Sequence, residues 1–160
     1  MIQRLKPSRS RTNGLAVALL ALTLTVSCGD DATAPCQGVT NAAGVILTSH
    51  GHELYRQVGA AQQGAITVTS GGLLHGIECT FVDANAQAIP IANGCQTDSV
   101  AVESLDPGVA SVSRDAGLRL FFNVSGVTPG STTLALRLLH ENNIRFTALP
   151  VPVEITSPVR

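Results

Sequence analysis

The sequence predicts an all-β fold, an antiparallel sandwich or barrel, and three observations lead to that prediction. From residue 44 onward, β-rich runs of about five to ten residues alternate with turn signals. Several runs alternate apolar and polar residues, most clearly at Leu118, Leu120, Phe122 and Val124. Apolar residues make up 44% of the chain, which argues against disorder. A length of 160 residues fits one domain with a real core.

The strand candidates of the first half are short and separated by turn residues. In chain order they are Val45–Thr48, Ala65–Thr69, a strand with Ile77, Cys79 and Phe81 on one face, and Ile89–Ile91. Gly71-Gly72 and Asp83–Ala86 supply turns between them. Pro90 places the last candidate at a sheet edge, because proline cannot donate a ladder hydrogen bond.

The segment Glu53–Gln63 fits two periodicities. Leu54, Val58 and Ala61 form a helical stripe, whereas Leu54, Arg56 and Val58 also alternate as in a strand. We interpret the segment as a strand, because Gly59 within it and the neighbouring Gly64 each cost a helix about 1 kcal/mol.

The second half contains six further strand candidates. They are Ser99–Leu105, Val109–Ser113, Leu118–Val124, Thr132–His140, Ile144–Leu149 and Val151–Thr156. Turn signals separate most of them, at Asp106–Gly108, Arg114–Gly117, Thr128–Gly130 and Glu141–Asn143. Pro150 and Pro152 predict that the final strand is an edge strand.

The first 27 residues are typical of a secretory signal peptide. Residues 1–14 are polar and carry four basic side chains, and Leu15–Val26 is an apolar run of twelve residues. As a helix this run would cover about 18 Å, too little for a hydrocarbon core of about 30 Å. We therefore predict export, with a signal peptide at 1–27, a linker at 28–43 and one domain at 44–157.

The end of the apolar run, Leu24 to Cys28, resembles the lipobox of bacterial lipoproteins. That resemblance implies that Cys28 is lipidated and becomes the mature N-terminus, although Thr25 stands where the pattern usually has leucine. The alternative is an ordinary signal peptide with an incidental Cys28. Gly29–Pro35 reads as a flexible tether. A glycine directly after the cysteine resembles lipoproteins sorted to the outer membrane, so the expected location is the cell envelope, lipid-anchored, on the periplasmic or surface face.

Charge and aromatic content exclude some partners. From Cys28 onward the chain has six arginines, no lysine and eleven carboxylates, a net charge of −5. Nucleic-acid binding needs a basic face, so it is excluded. Aromatic residues are 3% of the chain, with no tryptophan, which argues against stacking platforms.

Two segments of the second half resemble the bacterial Ig-like group 2 (BIG2) domain. Asp106–Val112 (DPGVASV) is similar to its D-P-x-V-A-x-V turn and strand, and Val124–Thr132 (VSGVTPGST) to its V-x-G-V-x-P-G-x-T segment. The similarity covers about residues 99–157, and Val102 stands where the family usually has tryptophan. It implies an Ig-like β-sandwich that serves in adhesion, as a spacer or in carbohydrate contact, and it supplies no catalytic residues.

Three cysteines remain after Cys28, and export predicts one disulfide. Cys36 and Cys95 lie in loop-like sequence, and we favour a bond between them. Pairing of Cys79 with Cys95 is the alternative, although Cys79 shares an apolar strand face. No C-x-x-C motif is present to support redox or zinc-ribbon chemistry.

The strongest candidate for chemistry is the segment His50-Gly51-His52-Glu53. Two histidines at i and i+2 project from one side of an extended chain, and imidazole suits Zn or Cu. His140-Glu141, in a predicted hairpin loop, is a further candidate source of ligands. The alternative is a polar, solvated turn. His75 is predicted to be a half-exposed strand residue.

The sequence contains no catalytic motif. Asp83, Asp98, Asp106 and Asp115 are all expected at turns, where aspartate caps backbone N–H groups. No G-x-S-x-G elbow, H-E-x-x-H motif or phosphate-binding glycine loop occurs. We predict a non-enzymatic envelope lipoprotein, without a required cofactor, whose loops contact a protein or carbohydrate. The alternative is an envelope metal-binding protein that uses His50 and His52.

Overall fold

The computed structural model describes residues 39, 41–90, 97–114 and 117–158. All regular elements in these residues are β-strands. The chain divides into two units, Met1–Ala32 and Thr33–Arg160, and every described residue belongs to the second. In this part of the chain no helix is long and apolar enough to cross a membrane. The predicted signal peptide, Cys28, the tether, Cys36 and Cys95 lie outside the described residues.

The described chain forms eleven strands in two sheets, an Ig-like β-sandwich. The strands are β1 (Gly44–Ser49), β2 (His52–Val58), β3 (Ala61–Gly64), β4 (Ile66–Thr69), β5 (Leu73–Val82), β6 (Asp98–Ser104), β7 (Ala110–Ser113), β8 (Phe121–Gly126), β9 (Gly130–His140), β10 (Asn143–Thr147) and β11 (Val151–Thr156). The all-β sandwich predicted from the sequence is thereby confirmed.

The two sheets share out these strands as follows. Sheet A has the order β3-β2-β1-β5-β8-β7. Sheet B is built around β9, which pairs with β6 along one side and with β10 and then β11 along the other, and β4 flanks β11. Among the described residues, all ladders are antiparallel except that between β4 and β11, which is parallel.

The core lies between the sheets and follows from the alternation of the strands. Leu134, Leu136 and Leu138 of β9 are fully buried, and they belong to the same apolar core as Phe122 and Val124 of β8. Because successive strand residues point to opposite faces, every second side chain enters the same apolar layer. Burial of a side chain of this size contributes about 1.5–3 kcal/mol.

Two contacts join sheet A to the β10–β11 side of sheet B. The rings of Phe81 and Phe146 meet edge to face with centroids 6.0 Å apart. The buried amide of Gln57 donates to the carbonyl of Gly59 at 2.9 Å, and its Oε1 accepts from the Leu149 N–H at 2.8 Å. The second bond satisfies a backbone group in the irregular segment between β10 and β11.

Four element predictions need correction, and three of them concern where a strand lies. Glu53–Gln63 is not one strand but the hairpin of β2 and β3, because Gly59 adopts a φ of +58° and reverses the chain. The predicted strand Leu118–Val124 begins only at Phe121, and Leu118 is exposed, whereas Leu120 is half-buried and packs against the core. The predicted strand Ile89–Ile91 is absent at Ile89 and Pro90, its two described residues, and the adjacent Ala88 forms an isolated bridge with Val82.

The final strand is not an edge strand. β11 pairs with β9 on one side and with β4 on the other. The prolines are tolerated because β4 joins β11 only from Val153 onward, so Pro152 lies beyond the end of the parallel ladder. Pro150 precedes the strand altogether.

Candidate functional site

The β1–β2 hairpin ends in a two-residue turn that projects His50 from sheet A. His50 and Gly51 both have positive φ, +50° and +79°, and the strands resume pairing at Ser49 and His52. This is the backbone of a type I′ turn, whose twist matches the flanking strands. Positive φ is uncommon for residues other than glycine, although asparagine, aspartate and histidine adopt it more often than the rest. The turn therefore holds an exposed imidazole on a defined backbone at some local strain.

The structure brings His75, rather than His52, against the ring of His50. The two ring centroids lie 4.9 Å apart with the planes inclined at 75°. Ser49 connects them, because its hydroxyl lies 3.0 Å from His50 Nδ1 and donates to the His75 carbonyl at 3.2 Å. We call His50 and His75, which Ser49 connects, the histidine pair.

A bulge in β5 positions His75. The β5–β8 register shifts between Leu74 and Ile77, and Gly76 adopts a φ of +65°. The Gly76 N–H donates to Oδ1 of the buried Asn123 at 2.8 Å. Bulges re-aim side chains, and this one is held by a side chain from the neighbouring strand.

His52 begins β2 opposite Ser49 and is exposed. Its neighbour Glu53 accepts two hydrogen bonds from Arg56. These bonds are the main reason why the pKa of Glu53 is lowered. The carboxylate beside His52 is therefore already paired. Within the described residues, no three of histidine, cysteine, aspartate and glutamate come together as a metal cluster. A site that uses His50 with His52 remains a prediction.

A second polar arrangement is buried where β6 meets the end of β9. Asp98 accepts from the Val39 N–H on Oδ2 at 3.1 Å, and its Oδ1 lies 2.9 Å from His140 Nδ1. Both side chains are buried. Since Asp98 uses both carboxylate oxygens, it fastens Val39 and β9 to the first residue of β6. We call these three residues the Asp98 clasp.

The Asp98 clasp corrects two expectations. Asp98 begins β6 and does not cap a turn. His140 is the last residue of β9, and its buried side chain is paired with Asp98. It is therefore not available as a metal ligand beside His50. The alternation of β9 explains the burial, because His140 follows Leu134, Leu136 and Leu138 on the inward face.

Two other carboxylates perform the turn-capping roles predicted for them. Asp83 Oδ1 accepts from the N–H groups of Asn85 and Gln87 at 2.8 and 2.9 Å. Asp106 Oδ1 accepts from the Gly108 N–H at 2.9 Å. These groups stabilise local backbone, as aspartate does in Asx turns. Asp115 lies outside the described residues.

Cys79 is a free, buried thiol on the inward face of β5. In the structure it therefore does not form the alternative disulfide with Cys95. Burial raises its pKa far above the usual value, with a smaller contribution from Glu78. The reactive thiolate is consequently scarce at neutral pH.

We expect Cys79 to be unreactive in the folded protein. In native protein 5,5′-dithiobis(2-nitrobenzoate) should leave Cys79 unmodified, and it should react fully after unfolding in guanidinium. If Cys28 is acylated and Cys36 is bonded to Cys95, unfolding without a reductant exposes one thiol. A Cys79→Val variant, which keeps a small apolar side chain, should then expose none. Rapid modification of native Cys79 would contradict its burial.

Comparison with known proteins adds remote structural similarities. Domains 4 and 5 of the S-layer protein SbsC match with 22% identity and a TM-score of 0.40, over 59% of this chain and 48% of that one. Domains 4–9 of SbsC match with 16% identity and a TM-score of 0.41, over 77% and 23%. Fibronectin(III)-like modules of Clostridium thermocellum CbhA match with 9% identity and a TM-score of 0.22, over 76% and 82%.

The chain thus spans less than half of each of these two S-layer chains. No protein-family model matches the chain. The search of curated proteins also found no match. The structural similarities are too remote to carry a functional argument.

Histidine at position 75 is the site residue whose role sequence reasoning missed. Its contact with His50 depends on the antiparallel register of β1 and β5, in which Thr48 lies opposite Glu78. The paired His75-Gly76 sequence hints at a bulge, because an isolated glycine in a strand often marks one. The strand partner that faces the bulge could not be read from the sequence.

Proposed function

We propose that this chain is a lipid-anchored, non-catalytic module of the cell envelope, whose sandwich is held out from the membrane for contact with a protein or carbohydrate. The anchor in this proposal is Cys28, joined to the sandwich through the tether Gly29–Pro35. Acyl chains bind to a bilayer with about 0.8 kcal/mol per buried CH₂, so two or more chains on one cysteine give a stable attachment.

The observation that carries the proposal is the polarity of β1. Val39, the first described residue after the tether, is fastened by Asp98 near the start of β1. The His50–Gly51 turn follows the end of the same strand. Six extended residues separate the two ends by about 17 Å. A domain tethered at one end of a strand presents the opposite end to its surroundings.

The BIG2 resemblance supports a contact or spacer role. Its two motif segments pack on one another, since the Val127 N–H donates to the Val109 carbonyl at 2.9 Å and the Thr128 hydroxyl donates to the Gly108 carbonyl at 2.7 Å. The residues of the two motifs therefore form hydrogen bonds that hold two adjoining turns together. Asp83, Asp98 and Asp106 are likewise engaged with backbone N–H groups, which is the use expected of a scaffold.

Intact-mass spectrometry of the full chain exported from a bacterial host tests the anchor. We expect a mature protein that begins at Cys28 and carries two or three acyl chains. A Cys28→Ser variant should lose the acyl mass, whereas Ser27→Ala keeps a small residue before the cysteine and should be acylated normally. Cleavage elsewhere, with an unmodified Cys28, would contradict the anchor. Protease digestion of intact cells then distinguishes a surface from a periplasmic position.

A further inference from the structure

We propose that His50 and His75 form a two-histidine site for a borderline divalent cation, Cu²⁺ or Zn²⁺, at the end of the sandwich opposite Val39. Imidazole nitrogen is a preferred ligand of both ions, whereas Mg²⁺ and Ca²⁺ prefer oxygen. The site does not depend on the lipid anchor or on the proposed contact role.

The separation of the rings is the first argument. In a tetrahedral site with metal–nitrogen distances of about 2.0–2.1 Å, the centres of two ligating imidazoles lie about 5 Å apart. The His50 and His75 centroids are already 4.9 Å apart, and the rings are inclined rather than stacked. The separation of the two rings is therefore already the one that ligation of a single ion requires.

The hydrogen bonds of Ser49 provide the second argument. A serine hydroxyl has one hydrogen, and that of Ser49 is donated to the His75 carbonyl. Its oxygen must then accept from His50 Nδ1–H at 3.0 Å. The neutral His50 ring consequently carries its proton on Nδ1 and its free lone pair on Nε2. Metal-binding histidines are oriented by this kind of outer hydrogen bond.

The rigidity of both supports is the third argument. His50 is held in a left-handed turn, with φ at +50°, and His75 stands beside the Gly76 bulge that Asn123 fastens. Strained or bulged backbone at exposed polar residues is typical of functional positions. Two ligands held on a two-residue turn and on a strand of the same sheet lose little freedom when a cation binds.

The chemistry of such a site follows from its two ligands and its exposure. Both histidines are exposed, so the remaining coordination positions stay accessible to water or to a donor group of another molecule. Structural zinc sites, in contrast, are closed by four protein ligands. The site is therefore suited to reversible metal binding.

Isothermal titration of the full chain in detergent, purified without a histidine tag, tests the site with Cu²⁺ and Zn²⁺ as probes and Mg²⁺ as the control ion. We expect one Cu²⁺ per chain and no Mg²⁺. A His75→Ala variant should bind Cu²⁺ at least about tenfold more weakly, since even outer-sphere losses weaken metal sites by that factor. The matched control is His52→Ala, an equally exposed histidine of the same hairpin, and it should bind as the wild type does.

A His50→Asn variant separates binding from folding. Asparagine accepts a positive φ more readily than histidine, so this variant should unfold at the same temperature or higher while its Cu²⁺ affinity falls at least about tenfold. Copper EPR of the wild type supplies a readout independent of variants, and it should show two imidazole nitrogens.

Three results would overturn the proposal. They are the absence of saturable Cu²⁺ binding at millimolar metal, wild-type affinity in the His75→Ala variant, and an equal loss of affinity in His52→Ala. The last result would place the site within the turn, on His50 and His52.

Discussion

Replacement of Asp98 by alanine should lower the free energy of unfolding by about 3 kcal/mol, because it leaves two buried donors without an acceptor. The affected groups are His140 Nδ1 and the Val39 N–H, which Asp98 binds at 2.9 and 3.1 Å. Loss of this clasp frees the start of the domain as well as the end of β9. Chemical denaturation monitored by far-ultraviolet circular dichroism measures the effect.

The matched control for this prediction lies on the same strand. Glu103 of β6 also faces a basic side chain of β9, Arg137, but at 3.9 Å and with 70% of its side chain exposed. Exposed pairs contribute little, so Glu103→Ala should change the unfolding free energy by less than about 0.5 kcal/mol. A double-mutant cycle on Asp98 and His140 should yield a coupling energy above about 1 kcal/mol. Equal effects of the Asp98 and Glu103 substitutions would show that the clasp does not hold the fold together.

Replacement of Gly44 by alanine should destabilise the fold by about 3 kcal/mol or more, which lowers the unfolding midpoint by roughly 10 °C. A β-carbon at Gly44 would lie 2.9 Å from the Val82 Cγ2 atom and closer still to the Gln57 carbonyl oxygen. Both neighbours are fixed, since Gly44 lies in the central strand β1 between β2 and β5. The hairpin therefore cannot absorb a methyl group without moving backbone.

Gly108→Ala is the control for that substitution. The nearest atom to a β-carbon at Gly108 is Asp106 Oδ1 at 3.1 Å, the end of an exposed side chain that needs to shift by only a fraction of an ångström. We expect a change of less than about 1 kcal/mol. A differential scanning measurement on both variants suffices, and a Gly44→Ala midpoint equal to that of Gly108→Ala would refute the close approach of β1 and β2.

Local patterns in the sequence predicted many of the elements. They misassigned elements whose environment depends on strands far away in the sequence. The alternation at Leu134, Leu136 and Leu138 was sufficient to place the core face of β9. The prolines of the last strand suggested an edge, yet β11 is internal because β4 pairs with it only beyond Pro152. The sequence shows that Pro152 lacks a backbone N–H. Whether that loss matters depends on how far the neighbouring strand β4 extends along β11.

The candidate sites show the same division. The His50–Gly51 turn could be predicted from its sequence, because a two-residue turn is a local structure. The partner of His50 could not, since His75 reaches it only through the pairing of β1 with β5 and the bulge at Gly76. His140 was expected near a loop and is buried, because the partner that satisfies it lies 42 residues earlier.

The sequence by itself therefore determined the strand periodicity, most of the inward faces and the capped turns at Asp83 and Asp106, all of which depend on residues close together in the chain. Only the tertiary structure decided that Asp98 joins His140 to Val39 and that His50 meets His75. The physical reason is that a strand's side-chain pattern repeats every two residues whichever strand lies beside it, so the pattern specifies a face but not a partner.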